Sequence, residues 1–160
     1  AKRITISTVG LAPQILKLAD QKNRYRLAVS LHAATDEQRS KLMPVNRRFP
    51  LEQLMRAVRY HVEHTGRRVT FEYILLEELN DSVADASKLV RLGAQIPCKV
   101  NLIPYNPIGP GRFKRPSPDR VQRFVDYLKP RVPAVTVRYS QGVEIGAACG
   151  QLAGDTEART

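Results

Sequence analysis

The feature that most constrains the fold of this 160-residue chain is a repeated alternation of strand-like and helix-like segments. Alternating or β-branched apolar residues predict strands at 3–8, 25–31, 68–76, 98–103 and 134–139. Helical spacing of apolar residues or a capping pattern predicts helices at 13–20, 35–43, 51–64, 80–93 and 117–128. Repeated strand–helix units predict a parallel sheet with helices packed outside it. Four such units and a last strand cannot close an eight-stranded barrel, so we expect an α/β fold with an open sheet or part of a barrel.

Four of the helices have specific start or stop signals, and one of these is the run Asn-Asp-Ser at 80–82, which is typical of a helix cap. Thr35 with Gln38 three residues later is a capping-box pattern. The helix at 51–64 has an apolar stripe at helical spacing and is followed by Gly66, a residue favoured just after a helix. At 117–119 a serine, a proline and an acid stand in order, which is typical of a helix start.

Composition and charge narrow the class of partner. The chain carries 26 Lys and Arg against 15 Asp and Glu, a net charge of +11, which favours a polyanion such as nucleic acid over a merely basic surface. Apolar residues make up 42%, which is ordinary for a globular domain. No apolar run approaches the roughly 18 residues that span a bilayer, so no membrane partner is expected. Two cysteines are too few for a disulfide scaffold, and we expect reduced thiols and a cytoplasmic location.

Polar residues follow the predicted strands at one edge of the sheet. Ser7, Ser30, His32, the segment 72–77 and Asn106 all stand at or just after carboxyl ends of strands, where ligands bind in parallel α/β folds. His32 could donate a hydrogen bond to a ligand, act as an acid or base, or be structural. Asn106 could bind a ligand group or serve only the turn that follows it.

Two basic loops are candidates for phosphate contacts. Arg47 and Arg48 lie in the loop 46–50, and Arg112, Lys114 and Arg115 lie in the proline- and glycine-rich loop 105–116. Lysine and arginine side chains in such loops can grip phosphate oxygens, and the alternative is a solvated surface.

The cysteines and the remaining histidines are weaker candidates. Cys149 has only small neighbours, which fits either a nucleophilic thiol or a buried structural cysteine. Cys98 begins a predicted strand and is expected to fill the core. His61 and His64 stand three apart on one predicted helix, and without a third ligand we expect a solvated face rather than a metal site. The chain contains no Walker A loop, no Rossmann glycine fingerprint and no Gly-x-Ser-x-Gly elbow.

Four segments together resemble a known family in their order and spacing. They are Ile-Ser-Thr at 6–8, Ser-Leu-His-Ala at 30–33, Asn-Leu-Ile-Pro-Tyr-Asn-Pro at 101–107 and Ala-Ala-Cys-Gly-Gln-Leu-Ala-Gly at 147–154. The chain resembles the C-terminal half of the RlmN/Cfr family of radical-SAM RNA methyltransferases, and its RlmN-type branch in particular. The likeness runs from about residue 3 to residue 154, and the segment around Cys149 is its most specific part.

The resemblance implies a fold and a chemistry. It implies part of a six-stranded (βα)6 barrel that holds a [4Fe–4S] cluster and S-adenosylmethionine at the carboxyl edge of the strands. It implies methylation of C2 of an adenine in 23S rRNA and in tRNA, C8 being the position in the other branch. Cys149 matches the cysteine that first accepts a methyl group, which a deoxyadenosyl radical then activates. Ser7, the run Ser30, Leu31 and His32, and Asn106 match the family's S-adenosylmethionine contacts.

One departure from the family pattern limits what the chain is expected to do. The cluster motif Cys-x3-Cys-x2-Cys and the second catalytic cysteine are absent. We therefore expect 1–154 to be the C-terminal part of the methyltransferase core and 155–160 to be a disordered tail. The cluster and its electron donor are expected to act only in the full-length enzyme, and the chain alone is expected to be inactive.

Two other functions remain open from the residues. One is a non-enzymatic basic α/β module that binds RNA, and the other is an unrelated α/β enzyme with a metal or phosphate site. Charge does not separate the methyltransferase from the binding module. The segment around Cys149 favours the methyltransferase, because a binding module has no need of it.

Overall fold

The fold is described by a computed structural model for residues 4–21, 25–94, 96–107 and 109–139. The strands are β1 Thr5–Thr8, β2 Arg26–Ser30, β3 Val69–Leu75, β4 Cys98–Pro104 and β5 Val135–Val137. The helices are α1 Ala12–Asp20, α2 Asp36–Leu42, α3 Leu51–Thr65, α4 Val83–Gly93 and α5 Pro118–Leu128, with a short 3-10 helix at Pro44–Arg47. The predicted elements are all present, with ends shifted by at most three residues.

The five strands form one parallel sheet in chain order, β1-β2-β3-β4-β5. Each crossover leads from one strand to its immediate neighbour in the same direction across the sheet. Crossovers of the usual right-handed sense then place their helices on one face of the sheet. In the described part of the chain β1 and β5 are the edges, and the sheet is open. The expected α/β fold with an open, barrel-like sheet is confirmed.

The two faces of the sheet differ in burial. On β3 the residues Val69, Phe71, Tyr73 and Leu75 are buried against the helices, and the alternate residues on the other face are half-exposed. The predicted stripe of α3 packs into the same core. One face therefore carries the hydrophobic core, and the opposite face is free to carry polar side chains.

The capping signals act as their sequence predicts. The Thr35 hydroxyl accepts the backbone N–H of Gln38 at 3.2 Å, and Ser117 caps α5 in the same way. Gly66 ends α3 with a φ of +64°, a left-handed conformation that favours glycine. Ser82 caps α4 through a reciprocal pair of hydrogen bonds with Asp85.

The expectation for one histidine is wrong. His61 is fully buried, and neither of its ring nitrogens has a hydrogen-bond partner among the described residues, whereas His64 is exposed as expected. Position 61 follows Leu54 by seven residues and Val58 by three, which places it on the buried stripe of α3. Cys98 is buried in the core, as predicted.

A buried arginine holds the ends of β1 and β2 together. The Arg39 side chain on α2 has no exposed surface, and its Nη2 donates to the carbonyl oxygens of Val9 at 2.7 Å and Ser30 at 3.1 Å. Its Nε donates to the carbonyl of Leu31 at 3.0 Å, and its Nη1 donates to Oδ1 of Asn46 at 3.0 Å. The guanidinium therefore fixes the chain where two strands leave the sheet.

The charge of Arg39 is balanced through Asn46. The Asn46 amide donates to Oδ1 of Asp36 at 2.9 Å, and the same carboxylate oxygen accepts the backbone N–H of Leu51 at 2.8 Å. This relay links α2, the 3-10 helix and the start of α3. It also explains why Asn46 is buried although the sequence places it in a basic loop.

We expect Gly10→Ala to destabilise the chain strongly. Gly10 follows β1 with a φ of +107°, and a Cβ there would lie 2.8 Å from Nη2 of Arg39. Backbone strain and a displaced guanidinium together should lower the free energy of unfolding by about 3 kcal/mol, measured by urea denaturation. Gly66→Ala is the matched control, because Gly66 also has a positive φ but open space around it, and it should cost about 1–2 kcal/mol. Equal losses would contradict the role given to Arg39.

Candidate functional site

The carboxyl edge of the sheet gathers the residues that the sequence singled out. Ser7 lies on β1, Ser30 ends β2, and His32 and Asn106 each follow a strand end by two residues. Ser30 pairs in register with Glu72 of β3. Four separate chain segments thus present polar groups at one edge, because parallel strands end on the same side.

Leu31 lies at this edge, but it has no polar group free to contact a ligand. Its side chain is in the hydrophobic core, and its backbone N–H donates to the carbonyl of Glu72 at 2.9 Å. Its carbonyl accepts the bond from Arg39. The geometry makes Leu31 an anchor that holds Ser30 and His32 on either side.

The His32 ring is held in one tautomer. Its Nδ1 accepts the backbone N–H of Ile74 at 3.1 Å, so in the neutral ring the proton is on Nε2. The backbone of His32 has a φ of +58°, which is uncommon for a residue with a side chain and concentrates at functional sites. His32 therefore presents a hydrogen-bond donor and no free basic nitrogen.

Burial, together with the positive charge of Arg39, lowers the pKa of His32 from 6.5 to about 4. The ring is thus neutral around pH 7. Of the roles that the sequence left open for His32, the geometry favours hydrogen-bond donation to a ligand over acid–base chemistry.

Asn80 keeps the strained turn at His32 in place. Its Nδ2 donates to the carbonyls of His32 at 2.8 Å and Ile74 at 2.7 Å, and its Oδ1 accepts the backbone N–H of Leu76 at 2.8 Å. The side chain is completely buried. The sequence predicts Asn80 only as part of a helix start and misses this role, because no local pattern encodes a contact between residues 48 apart.

A hydrogen-bonded row of polar groups crosses the face opposite the helices. Asn101 of β4 donates from Nδ2 to Oε2 of Glu72 at 2.6 Å, and its Oδ1 accepts the hydroxyl of Thr136 at 2.8 Å. The register places Ser30 in the same row. This row holds the Glu72 carboxylate, an acceptor, beside the donors of the carboxyl edge.

Asn106 is buried with half of its amide unpartnered. Its Oδ1 accepts a bond from Nη1 of Arg115 at 2.8 Å. Its Nδ2 is buried and has no hydrogen-bond partner among the described residues. Buried polar groups are rarely left unpaired, so this NH2 group is a candidate ligand contact.

The two basic loops meet in one cleft of about 630 Å³. The backbone N–H of Glu77 donates to the carbonyl of Lys114 at 3.0 Å, which ties the second loop to the end of β3. Of the predicted RNA-binding residues, Arg47, Arg112 and Lys114 line the cleft. Arg48 stacks over Phe49 instead, and Arg115 contacts Asn106. Lys41, Glu77 and Glu78 also line the cleft.

A second basic cavity lies toward the amino ends of the strands, and the sequence analysis missed it. It has a volume of about 250 Å³ and is lined by Arg26, Arg67, Arg68, Thr70 and Lys99. No carboxylate lines it. Its cations stand on three separate segments, so only the sheet brings them together.

Cys149 and the expected tail at 155–160 lie outside the described residues. The Cys98 thiol is described, and burial raises its pKa, which makes it a poor nucleophile. Within the described ranges no cluster of His, Cys, Asp or Glu is suited to hold a metal ion. Nor is any helix there long and apolar enough to cross a membrane.

Comparison with curated proteins gives matches over nearly the whole chain. The chain is 50% identical over 157 residues to a probable dual-specificity RNA methyltransferase RlmN 3 of Opitutus terrae, and 48% identical over 153 residues to a dual-specificity RNA methyltransferase RlmN of Syntrophotalea carbinolica. These matches cover 98% and 96% of the chain but 42% and 41% of the relatives. The chain thus spans about two-fifths of the length of these relatives. No family model matches it.

Comparison with solved structures also finds a methyltransferase. A radical SAM methyltransferase from Sphaerobacter thermophilus superposes with a TM-score of 0.90 at 53% identity, over 94% of this chain and 44% of that one. A domain of a pyruvate-formate lyase-activating enzyme from Bacteroides vulgatus gives 0.67 at 17% identity, over 85% and 81%, which speaks to the fold alone.

The open parallel sheet, its one-sided helices and its polar carboxyl edge define part of a radical-SAM barrel. Within that class, the sequence identities near 50% relate the chain to the RlmN-type methyltransferases. The chain belongs to the RlmN/Cfr family and matches its RlmN-type members.

We expect the stability of the chain to fall between pH 7 and pH 5, in part through His32. As the pH drops, the unfolded ring, with a pKa of 6.5, binds a proton before the folded ring does at about 4. The contribution of the neutral His32 ring to the free energy of unfolding is therefore fully present above pH 6.5. It is lost as the pH falls toward 4, by up to about 1.4 kcal/mol per pH unit for one histidine. Burial also lowers the pKa of His61, which adds to the loss.

Urea denaturation at pH 7, 6 and 5 tests this expectation. The decline in unfolding free energy should be shallower in His32→Gln and in His61→Leu than in the unsubstituted chain. The same decline in all three proteins would contradict the lowered pKa assigned to the two rings.

Proposed function

We propose that this chain is part of a radical-SAM methyltransferase that methylates C2 of adenine in 23S rRNA and tRNA. The observation that carries the proposal is that Ser7, Ser30, His32 and Asn106 share one edge of the sheet. These residues come from the segments that resemble the family's S-adenosylmethionine contacts. The identity of about 50% to proteins named as RlmN methyltransferases supports the same reaction.

The edge is suited to hold S-adenosylmethionine. Ser7 and Ser30 would contribute hydroxyl groups, His32 its Nε2–H, and Asn106 its unpartnered NH2, while Leu31 acts as the anchor between Ser30 and His32. The buried Asn106 NH2 fits a ligand rich in acceptor atoms, and the methionyl and adenosyl groups provide many. When bound, this cosubstrate supplies the methyl group and the radical that activates it.

Cys149 would carry the methyl group to the RNA base. Adenine C2 is not nucleophilic and cannot take a methyl group directly from a sulfonium, so a polar transfer would fail. The Cys149 thiolate would accept it instead. A bond forms between the Cys149 sulfur and the methyl carbon while the bond from that carbon to the sulfonium sulfur breaks. Once the radical supplied by the cosubstrate has removed a hydrogen atom from the resulting S-methyl group, the carbon radical left on Cys149 would be able to add to C2. The target base would have to leave its stack to reach the sulfur.

The [4Fe–4S] cluster does not fit this chain alone. Its two cysteines cannot supply three thiolate ligands, and the described residues offer no metal-binding cluster. We propose that the cluster and its electron donor act through the remainder of the full-length protein, in the reducing cytoplasm. The chain by itself would be inactive.

The RNA would contact the basic cleft. Arg47, Arg112 and Lys114 line it beside the carboxyl edge, at a position suited to hold phosphates while a base enters the site. A non-enzymatic RNA-binding module is the second candidate, and the observation that favours it is the second basic cavity, which is away from the carboxyl edge. A methyl group on Cys149 is expected of the methyltransferase and is not expected of the binding module.

In the full-length protein, Cys149→Ala should abolish methyl transfer to RNA, because no sulfur remains to accept the group. Peptide mass mapping of the unsubstituted, cluster-loaded protein should find one added methyl group on Cys149. Cys98→Ala is the matched control: its thiol is buried in the core, and its removal should leave the methyl group on Cys149. An unmodified Cys149 in protein that still methylates RNA would reject the mechanism.

Arg47→Ala and Arg112→Ala in the full-length protein should each weaken RNA binding and reduce its dependence on salt. Each lost phosphate contact should lower the slope of log K against log salt by about 0.7–0.9. Arg56→Ala is the control, since Arg56 is an exposed arginine on α3 paired with Glu52. Slopes that match the control would leave the cleft as ordinary solvated surface.

A further inference from the structure

We propose that Arg115 is a positioning residue that turns the Asn106 amide so that its NH2 group faces the bound ligand. This inference rests on the proposed function, because it takes the ligand to be S-adenosylmethionine. It assigns Arg115 a task different from the RNA contact that its sequence position suggests.

The orientation of the amide is fixed by chemistry. The Arg115 Nη1 lies 2.8 Å from the outer atom of Asn106 assigned as Oδ1. A guanidinium has only donors, so the atom it contacts must be the amide oxygen and not the nitrogen. The usual ambiguity between the two ends of an asparagine side chain is therefore absent here.

The other end of the amide is consequently a donor without a partner. Asn106 is only 6% exposed, and its Nδ2 has no hydrogen-bond partner within the described part of the chain. A buried NH2 that lacks a bond is unfavourable, and an acceptor atom of a ligand at this edge would remove the penalty. Without Arg115 the amide could rotate by half a turn and present its oxygen instead.

The loop around Arg115 is built to keep the guanidinium over Asn106. Phe113 packs edge-on against Tyr105 with ring centroids 6.1 Å apart, and the backbone beside it is tied to Glu77. The Arg115 guanidinium also lies 5.9 Å from the ring centroid of Tyr139. Arg115 is an exposed residue, so its replacement opens no cavity in the core.

A double-mutant cycle in the full-length protein tests whether Arg115 acts through Asn106. Equilibrium binding of S-adenosylmethionine should weaken roughly fivefold in Arg115→Met and by less than twofold in Arg115→Lys, which keeps a donor. Asn106→Leu should weaken binding further, and adding Arg115→Met to it should have no extra effect. Additive losses in the double variant would overturn the proposal.

RNA binding provides the opposing readout. Arg115→Met should leave the RNA affinity and its salt slope unchanged, and Arg123→Met, an exposed arginine on α5, should change neither ligand's affinity. A loss of RNA affinity in Arg115→Met with unchanged S-adenosylmethionine binding would overturn the proposal and restore a phosphate contact.

The orientation itself is tested in the 160-residue chain without a ligand. In a ¹⁵N-labelled sample, the side-chain NH2 signals of Asn106 should shift or broaden in Arg115→Met, because the amide can then take both orientations. Unchanged signals would overturn the positioning role. If the unsubstituted full-length protein bound no S-adenosylmethionine, the proposed function would fail, and the signals would still report the Arg115–Asn106 contact separately.

Discussion

The carboxyl edge depends on one buried cation. Arg39 donates to three backbone carbonyls, those of Val9, Ser30 and Leu31, and so joins the ends of β1 and β2 to α2. Strand ends have carbonyls that the sheet no longer pairs, and buried carbonyls need donors. A guanidinium satisfies several of them at once from a fixed fork. The positions of Ser30 and His32 follow from this contact, and with them the spacing of the edge.

The donors at the edge are set by the protein before a ligand arrives. The His32 proton is on Nε2 because Ile74 occupies Nδ1, and the Asn106 NH2 is turned away from Arg115. In both cases a neighbouring donor uses the acceptor atom of the side chain. A ligand that binds there needs no reorganisation of these groups, which is the physical meaning of a preorganised site.

Local patterns in the sequence are enough to predict the strands and helices of the fold. The alternation of 68–76 and the stripe of α3 are properties of short segments, and both form as expected because the helices cover one face. The burial of His61 also follows from a local pattern, because its spacing from Leu54 and Val58 places it on the buried stripe of α3. The contact of Asn80 with His32 joins residues 48 apart, and no local pattern encodes such a contact. The orientation of Asn106 likewise depends on how one loop folds back on itself.

Net charge is a poor guide to individual contacts, as the loop after β4 illustrates. Arg112, Lys114 and Arg115 look equivalent in sequence, yet the first two line a cleft and the third contacts a buried amide. The cleft also contains Glu77 and Glu78, which repel phosphate, and a further group of cations lies at the other end of the strands. A charge of +11 therefore cannot be converted into eleven phosphate contacts. Counterion release depends on the phosphates that are actually neutralised, so only cations that share one surface covered by a bound polyanion would contribute to it.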